Sequence, residues 1–265
     1  MGKLTGTVKF TGRVGDLVAY KRHDMDGIFV MQVSGPSKEA IATKPSYDLT
    51  RKNNKEFGGR STTSSWIRKA MDPHLQLQDY NFTSSLNKIA KPIQELDTVS
   101  ELGKRSSLLT KSKGILNGFN LCRKTTFDSI IRNPVNFLVS KETLSASVHL
   151  PALLPGINFF VPVKEPMYKI TAVLGIVPDL HYNGSKYAPA NGYSDRMPVA
   201  TAGTAWNAVL SGSAAETLEL KQTFQPPDEN FILLLSIGIR FGNIVIPGEV
   251  KQVKRAGAAK ILMTI

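Results

Sequence analysis

From residue 135 to the C-terminus the sequence is a series of short runs of β-branched and aromatic residues, and this pattern constrains the fold most strongly. Proline and glycine separate the runs, at Pro151, Pro178 and Gly248 among other positions. Short runs between turn signals are typical of an antiparallel β-sandwich or jelly roll. Amphipathic helices do not alternate with them, which disfavours a parallel α/β fold. The runs are NFLVS, SASVHL, NFFVPV, YKITAVLGIV, TLELKQTF, NFILLLSIGIRF and AKILMTI.

The first 33 residues predict a small β-meander. Apolar residues alternate with small or polar ones over 4–10, and similar runs follow over 16–22 and 27–33. Asp26-Gly27 lies between the last two runs and is a strong hairpin signal. Three such strands are marginal alone, so we expect them to pack on another element.

Helices are predicted between the meander and the β-rich half. Ser37 is a suitable N-cap for a helix over 38–42, and Lys44-Pro45 should end it. Residues 46–57 and 61–71 each predict a helix, with Gly58-Gly59 between them as a kink or a close backbone contact.

A further helix is predicted over 82–96, capped by Asn81 or Thr83 and bent by Pro92. The polar, basic segment 101–114 is interpreted as a loop or linker. The sequence thus predicts an α+β protein with two parts. Residues 1–115 form an N-terminal hairpin and basic helical arm, and residues 116–265 form an antiparallel β-sandwich or jelly-roll-like domain.

The net charge of +12 is concentrated in the N-terminal half. Residues 1–133 contain 22 Lys/Arg and 12 Asp/Glu, a balance of +10, whereas residues 134–265 contain 11 and 9, a balance of +2. A basic surface attracts nucleic acid, anionic membranes or acidic proteins, and excess charge also keeps a protein in solution.

The segment 46–70 is crowded with cations: six Lys/Arg fall within residues 51–69, against Glu56 alone. Such residues suit phosphate contacts, but no recognisable DNA-reading element accompanies them. We therefore favour contact with an acidic patch of a neighbouring subunit, and a solvated helix face is the simpler alternative. The predicted interaction residues are Arg51, Lys52, Lys55, Arg60, Trp66, Arg68 and Lys69.

Catalytic patterns are weak throughout the sequence. Ser85 and Lys88 match the SxxK spacing of a class of serine enzymes. Tyr193-Ser194-Asp195 is a weak match to the SDN element of that class, and its KTG element is missing. The carboxylate pairs Asp228-Glu229 and Asp24-x-Asp26 lie in turns, where capping explains them. His149 lies in an apolar strand run, where a half-buried structural histidine is expected. The sequence therefore predicts no enzyme and no catalytic residue.

Cysteine and histidine usage gives no indication of a cofactor or metal. Cys122 is the single cysteine, so an intrachain disulfide is impossible, and the four histidines are scattered at 23, 74, 149 and 181. The N-terminal residues contain no apolar signal core, and no run approaches the roughly 20 apolar residues of a membrane span. We expect a cytoplasmic protein, including one incorporated into a particle or filament.

Three segments together resemble a family of uncharacterised proteins common in Bacteroidota. They are TGRVGDLVAYKR, then GPSKEAIATKPSYDLTRKNNKEFGG with WIRKA, and finally SIGIRFG with GAAKILMTI. In that family a glycine-turn hairpin precedes an Arg-Asn-Asn-x-Glu-Phe-Gly type element; here Lys52 is inserted between Arg51 and Asn53. The resemblance implies the same two-part organisation and a structural or assembly role, and it implies no catalytic residue.

Three functions follow from the sequence as hypotheses. The favoured one is a non-enzymatic structural protein that self-associates into an oligomer, particle, tube or filament, whether phage-like or part of a cell structure. The second is a nucleic-acid-binding protein that uses residues 46–70 and the basic loop 104–113. The third is a carbohydrate or small-ligand binder that uses the long loop 181–204. The aromatic residues that would stack on the ligand are Tyr182, Tyr187, Tyr193 and Trp206.

Overall fold

The computed structural model describes residues 2–7, 9–22, 25–33 and 35–265. Its contacts divide the chain into two compact units, residues 1–51 and 52–265. The N-terminal unit contains four short strands and the first helices. They are β1 (Gly2–Lys3), β2 (Gly12–Val14), β3 (Leu17–Lys21), β4 (Ile28–Gln32), α1 (Lys38–Thr43) and a 3₁₀ turn (Pro45–Tyr47).

Helix α2 (Asp48–Ala70) begins in the first unit by this division, and all later elements belong to the second. The helical elements are a 3₁₀ helix (Asp72–Leu77), α3 (Thr83–Glu95), a second 3₁₀ helix (Leu109–Lys111) and α4 (Phe127–Ile130). The strands are β5 (Asn136–Ser140), β6 (Ser145–Leu150), β7 (Met167–Pro178), β8 (His181–Tyr182), β9 (Tyr187–Ala188), β10 (Ala200–Gly203), β11 (Asn207–Ala208), β12 (Glu216–Lys221), β13 (Phe231–Ile246) and β14 (Glu249–Thr264).

The N-terminal sheet has the order β1-β4-β3-β2 and differs from the predicted meander in one strand. The predicted strands 16–22 and 27–33 are confirmed as β3 and β4, but no described residue of 4–10 lies in a strand. Gly15 has a φ of +56° and forms the tight turn that pairs Val14 with Leu17, so β3 is paired by residues 12–14 instead. Val8, part of the predicted strand, lies outside the described residues.

The predicted helices are present, with one difference at the glycine pair. The Ala40 N–H donates to Ser37 Oγ over 3.0 Å, and Lys44 has a ψ of 134°, which confirms both predicted ends of α1. Residues 48–70 form one continuous helix, so Gly58-Gly59 does not separate two helices. Asn81 Oδ1 accepts the N–H of Thr83 over 3.1 Å at the start of α3.

The C-terminal strands form two antiparallel sheets. The larger has the order β10-β7-β13-β14, with β11 also paired to β7, and the smaller has the order β12-β6-β5. Strands β6 and β12 contact β7, and the Phe159 and Tyr168 ring centroids are 4.6 Å apart. The inner faces bury the aliphatic side chains of both sheets, which gives the sandwich-like arrangement that the sequence predicts. The predicted run 158–163 does not form a strand, and its Phe159 makes only isolated bridges.

The opposite face of the larger sheet carries the helical elements. A side chain at Gly175 would overlap the carbonyl oxygen of Ala70, and a Cβ at Gly238 would lie 2.8 Å from the His74 ring. These glycines let the C-terminal end of α2 and the 3₁₀ helix 72–77 approach the strands closely. The sheet therefore has a second buried face, which the sequence analysis did not predict.

Helices and strands share one core, and this explains why the chain does not divide at residue 115. Ile67, Leu86 and Ile93 from the helices belong to the same buried cluster as Leu174 and Ile237 from the sheet. The fold is α+β, as predicted, but residues 52–115 are part of the body of the C-terminal unit. The predicted boundary between 115 and 116 thus lies within a compact unit.

Segment 101–114 is packed against this body and is not a linker. Ser107 forms a two-way backbone bridge with Leu180, with N···O distances of 2.8 and 3.0 Å, and Leu109 is fully buried.

Cys122 is also buried, and it donates its thiol to the carbonyl oxygen of Leu77 over 3.0 Å. Burial raises the pKa of the Cys122 thiol to about 11.

Candidate functional site

The basic segment 46–70 was the first candidate, and the structure places its cations against neighbouring groups of the same unit. In the N-terminal unit, Arg51 Nη1 donates to the carbonyl oxygens of Ile41 and Lys44 over 2.7 and 2.9 Å. Its Nη2 also lies 3.4 Å from Asp48 Oδ1. Arg51 therefore fixes the end of α1 against the start of α2.

Glu56 is the centre of a buried ionic cluster in the C-terminal unit. Its Oε1 accepts the N–H of Gly103 over 2.8 Å, and its Oε2 lies 3.0 Å from Arg105 Nη2 and 3.7 Å from Arg60 Nη2. Arg60 Nε donates to Gln94 Oε1 over 3.0 Å. The cluster ties α2, α3 and segment 101–107 together, and buried charges are tolerated when they are paired in this way.

Gly59 allows this cluster to form at close range. A Cβ at this position would lie 2.7 Å from Gln94 Nε2 and 2.9 Å from the ring of Tyr187. The Tyr187 hydroxyl donates to the carbonyl oxygen of Gly103 over 3.3 Å. Burial, together with the nearby Glu56 carboxylate, raises the pKa of Tyr187 to about 12. The close-contact interpretation of the glycine pair is thus confirmed for Gly59.

The C-terminal end of α2 is also engaged within its unit. Trp66 is only 5% exposed, Lys69 Nζ lies 2.7 Å from Asp195 Oδ1, and the Arg68 guanidinium lies 5.8 Å from the ring centre of Phe82. Lys52 is half-buried beside Gly103. Lys55 is exposed, with its Nζ 5.6 Å from the Tyr182 ring centre. The seven predicted interaction residues therefore do not form one open basic face.

Serine and histidine pairs give no catalytic arrangement among the described residues. Lys88 is exposed, so the buried lysine that the SxxK chemistry requires is missing beside Ser85. Each of the three described histidines has a ring nitrogen hydrogen-bonded to a hydroxyl group. Among the described residues, no carboxylate hydrogen-bonds to these rings to orient them. The pairs are His74 with Ser236, His149 with Thr217 and His181 with Ser106. His149 is exposed, so its predicted half-burial is wrong.

The Ser236–His74 pair is inaccessible, because both residues are fully buried. His74 Nε2–H donates to the carbonyl oxygen of Thr171 over 3.1 Å, so its Nδ1 accepts the Ser236 hydroxyl over 3.1 Å. Burial, and secondly the charge of Arg240, lowers the pKa of His74 to about 3. This neutral imidazole joins the 3₁₀ helix 72–77 to the sheet.

The carboxylate pairs behave as turn residues where they are described. Asp228 Oδ1 accepts the Tyr193 hydroxyl over 2.8 Å and the N–H of Asn230 over 3.0 Å. Burial and the hydrogen bond to Asp228 raise the pKa of Tyr193 far above its ordinary value. Glu229 has a side chain that is 93% exposed. Asp24 and His23 lie outside the described residues.

The aromatic residues of loop 181–204 are divided among separate contacts. Tyr182 and Tyr187 pack on each other with ring centres 5.3 Å apart, and Tyr193 packs on Phe224 at 6.1 Å. Trp206, just after the loop, is half-buried beside Gly242. These four side chains do not form the single stacking platform that the sequence hypothesis required.

The N-terminal unit contains a basic concavity of its own that the sequence analysis missed. It has a volume of about 780 Å³, and Lys3, Lys9, Lys21 and Arg22 line it together with Asp26. Its cations come from three separated stretches of sequence, so no single basic run indicated it.

The long hairpin β13–β14 provides the most prominent exposed apolar feature. Strand β13 pairs with β7 from Phe231 to Gly242, and beyond Gly242 it pairs only with β14. We call residues 243–249 the hairpin tip; every residue in it is exposed. Ile244, Val245 and Ile246 are 57%, 56% and 55% exposed, although successive strand residues point to opposite faces. The tip therefore presents three consecutive apolar side chains to solvent.

A sequence signal for the tip did exist. Three successive apolar residues precede Pro247-Gly248, and a strand that is buried on one face only would alternate apolar and polar residues. The predicted strand run ended at Phe241, so the sequence analysis gave residues 244–246 no role. The run is exposed because strand β13 extends beyond the end of its partner β7.

Comparison of this chain with protein-family models, curated proteins and solved structures found no match. The resemblance to a Bacteroidota family therefore remains an expectation from the quoted segments. Within the described ranges, no helix has both the length and the hydropathy needed to cross a membrane. The same residues include no group of three or more His, Cys, Asp or Glu side chains placed to hold a metal ion.

Proposed function

We propose that this protein is a non-enzymatic structural protein that self-associates, and that the hairpin tip is the surface through which copies meet. The observation that carries the proposal is the run Ile244-Val245-Ile246, in which each residue is more than half exposed at the end of a projecting ribbon. Isolated exposed apolar residues are normal on protein surfaces, but contiguous ones mark interaction sites.

The energy of such a contact depends on how much apolar surface it covers. Fully burying one Ile or Val side chain contributes roughly 1.5–3 kcal/mol. Two abutting tips would cover the exposed half of three apolar side chains on each copy. The free energy gained by this burial is of the same order as the association cost, which is about 4–15 kcal/mol. The apolar contact between tips therefore offsets much of the association cost, and additional contacts are needed to make association favourable.

The backbone of the tip supplies a second contribution. Beyond Gly242, strand β13 has lost its partner β7, so one edge of the ribbon presents N–H and C=O groups to solvent. A strand from a second copy can pair with this edge, and such pairing adds hydrogen bonds to the apolar contact. The tip thus offers a second copy both a hydrogen-bonding edge and exposed apolar side chains.

The contacts of the basic segment favour this proposal over nucleic-acid binding through residues 46–70. Arg51, Arg60 and Arg68 are directed at backbone oxygens or neighbouring side chains. Because the chain carries a net charge of +12, copies repel one another at long range. We therefore expect self-association to strengthen as salt screens this repulsion, whereas nucleic-acid binding weakens with salt.

Light scattering after size-exclusion chromatography tests the proposal on nuclease-treated protein at low and high salt. We expect the wild type to form an assembly that grows with concentration and with salt. The double variant Ile244→Ser/Ile246→Ser should shift the equilibrium to the monomer, because each serine removes apolar surface without disturbing a buried residue.

The matched control is Val99→Ser/Leu210→Ser, which removes two isolated apolar residues that are 95% and 91% exposed. This control should assemble as the wild type does. A wild type that stays monomeric at all concentrations and salts would refute self-association. An assembly that persists unchanged in the tip variant would refute the tip as its contact surface.

A further inference from the structure

A cationic cleft opens where the helical layer ends on the larger sheet. The layer covers the sheet near Gly175 and Gly238, and Pro73 of the 3₁₀ helix 72–77 lines the cleft. Beyond that point the same face of β7 and β13 is open and has a cleft of about 440 Å³, a size that suits a small ligand. The residues that line it are Pro73, Lys169, Thr171, Thr201, Ala202, Gly203, Trp206, Arg240 and Gln252.

Two cations, Lys169 and Arg240, line this cleft, and none of its lining residues is acidic. Lys169 on β7 and Arg240 on β13 are direct cross-strand partners. Like charges at opposed positions destabilise a sheet pair, and burial lowers the pKa of Arg240. The sheet thus holds two neighbouring positive charges without a lining carboxylate, an arrangement that an anionic ligand would neutralise.

The Arg240 side chain is held in place by the surrounding structure. Its Nη1 donates to Gln252 Oε1 and its Nη2 donates to the carbonyl oxygen of Pro73, both over 3.2 Å. Two further donors, Arg240 Nε and Gln252 Nε2, are buried and have no acceptor among the described residues. Buried donors without acceptors are uncommon in folded proteins, and here both belong to the residues that line one cleft.

Trp206 forms a wall beside the two cations. A Cβ at Gly242 would lie 3.0 Å from Trp206 Cη2 and 2.8 Å from the carbonyl oxygen of Lys251, so glycine lets the indole lie close to β13. The ring is half-buried and forms part of the cleft lining. An indole beside fixed cations offers a stacking surface for a flat ring next to an anion-binding group.

We propose that this cleft binds a phosphomonoester that also carries a ring, with the phosphate on Lys169 and Arg240 and one face of the ring against Trp206. A phosphomonoester carries about two negative charges near neutral pH, which matches the two cations. Both a nucleoside monophosphate and a sugar phosphate fit this description, the first through the flat face of its base and the second through the C–H face of its sugar. The proposal rests on different residues from the hairpin tip and does not depend on self-association.

Tryptophan fluorescence provides the test, because the chain has only two tryptophans and Trp66 is buried away from the cleft. The probes are adenosine 5′-monophosphate and glucose 6-phosphate, with adenosine and inorganic phosphate as the separated halves. We expect at least one intact phosphomonoester to change the Trp206 emission saturably, and to bind more tightly than either half. The probe that binds with the higher affinity shows whether the ring is a nucleobase or a sugar.

Variants locate the site. Lys169→Gln and Arg240→Gln should each weaken binding at least about tenfold, the value expected for a lost charge-assisted hydrogen bond. Lys169→Arg should retain binding, and Lys221→Gln, an exposed lysine on β12, should leave it unchanged. Circular dichroism checks that each variant is folded.

Three results would overturn the proposal. They are no saturable response to either phosphomonoester, affinity for inorganic phosphate equal to that for the intact probes, and affinity that is the same in Lys169→Gln as in Lys221→Gln. Variants of the hairpin tip should bind the probe as the wild type does, so the two proposals fail or succeed separately.

Discussion

Single buried polar residues carry much of the specificity of this fold. His74 lies between the 3₁₀ helix 72–77 and the sheet, fully buried, with both ring nitrogens hydrogen-bonded. Glu56 occupies an equivalent position between α2 and segment 101–107. Each satisfies groups from two elements at once, so a change at either residue affects how those elements pack.

His74 predicts a defined dependence of stability on pH. Its pKa falls from 6.5 to about 3 on folding, so below pH 6.5 the unfolded chain binds a proton that the native protein excludes. The free energy of unfolding should be fully retained above this value and should fall as the pH drops toward 3. The slope from this residue alone is roughly 1.4 kcal/mol per pH unit.

Urea denaturation at several pH values measures this effect. His74→Asn should lower stability at neutral pH but flatten the decline between pH 6.5 and 4, since the group that titrates is gone. His149→Asn is the matched control, the same substitution at an exposed histidine. A wild-type slope retained in His74→Asn would show that other groups cause the acid sensitivity.

Among the elements, helix α2 shows how two adjacent glycines serve different purposes. Gly59 is buried against Gln94 and Tyr187, whereas Gly58 is exposed and a Cβ there would have nothing within 4 Å. Both lie in the middle of a helix, where glycine is unfavourable by about 1 kcal/mol relative to alanine. The difference between them is therefore entirely in the surroundings.

Alanine substitutions at these two positions should have opposite effects. Gly58→Ala should raise the free energy of unfolding by about 0.4–1 kcal/mol, because it restricts the unfolded chain and meets no obstacle. Gly59→Ala should lower it by about 1–3 kcal/mol, because the added methyl group displaces Gln94 and Tyr187. Chemical denaturation of both variants checks the signs; stabilisation by both would mean that the ionic cluster tolerates a shift.

Local sequence signals predicted the secondary-structure elements better than they predicted which residues those elements contact. Ser37, Lys44-Pro45 and the C-terminal strand runs indicated their structures because caps, prolines and β-branched runs act locally. The burial of Trp66 and the pairing of Arg60 with Gln94 depend on residues distant in sequence, so the basic segment was interpreted as a surface. The cleft at Lys169 and Arg240 requires the β7–β13 register, which no local pattern reveals.

For the whole molecule, the two units differ in how much apolar surface they bury. Among the described residues of the N-terminal unit, the buried apolar side chains are Ala19, Ile28 and Phe29. The C-terminal unit buries a continuous cluster that runs from the helices through both sheets. Small units with few buried apolar groups open at lower free energy than large ones.

Native-state hydrogen exchange should therefore separate the two units. We expect the paired amides of β3 and β4 to exchange through openings of lower free energy than the amides of β7 and β13. Mass spectrometry of peptides from 17–32 and 231–242 measures both. Equal protection of the two peptides would indicate that the chain unfolds as a single cooperative unit.

Cys122 gives this protein an internal reporter that requires no engineering. Its thiol is the only sulfhydryl in the chain, lies in the core and donates to Leu77 at the junction of the 3₁₀ helix with the sheet. A thiol-reactive reagent at mildly alkaline pH can label it only after that junction separates. The labelling rate of the unmodified protein thus records how often the helical layer detaches, and a ligand or a second copy that stabilises the layer would slow it.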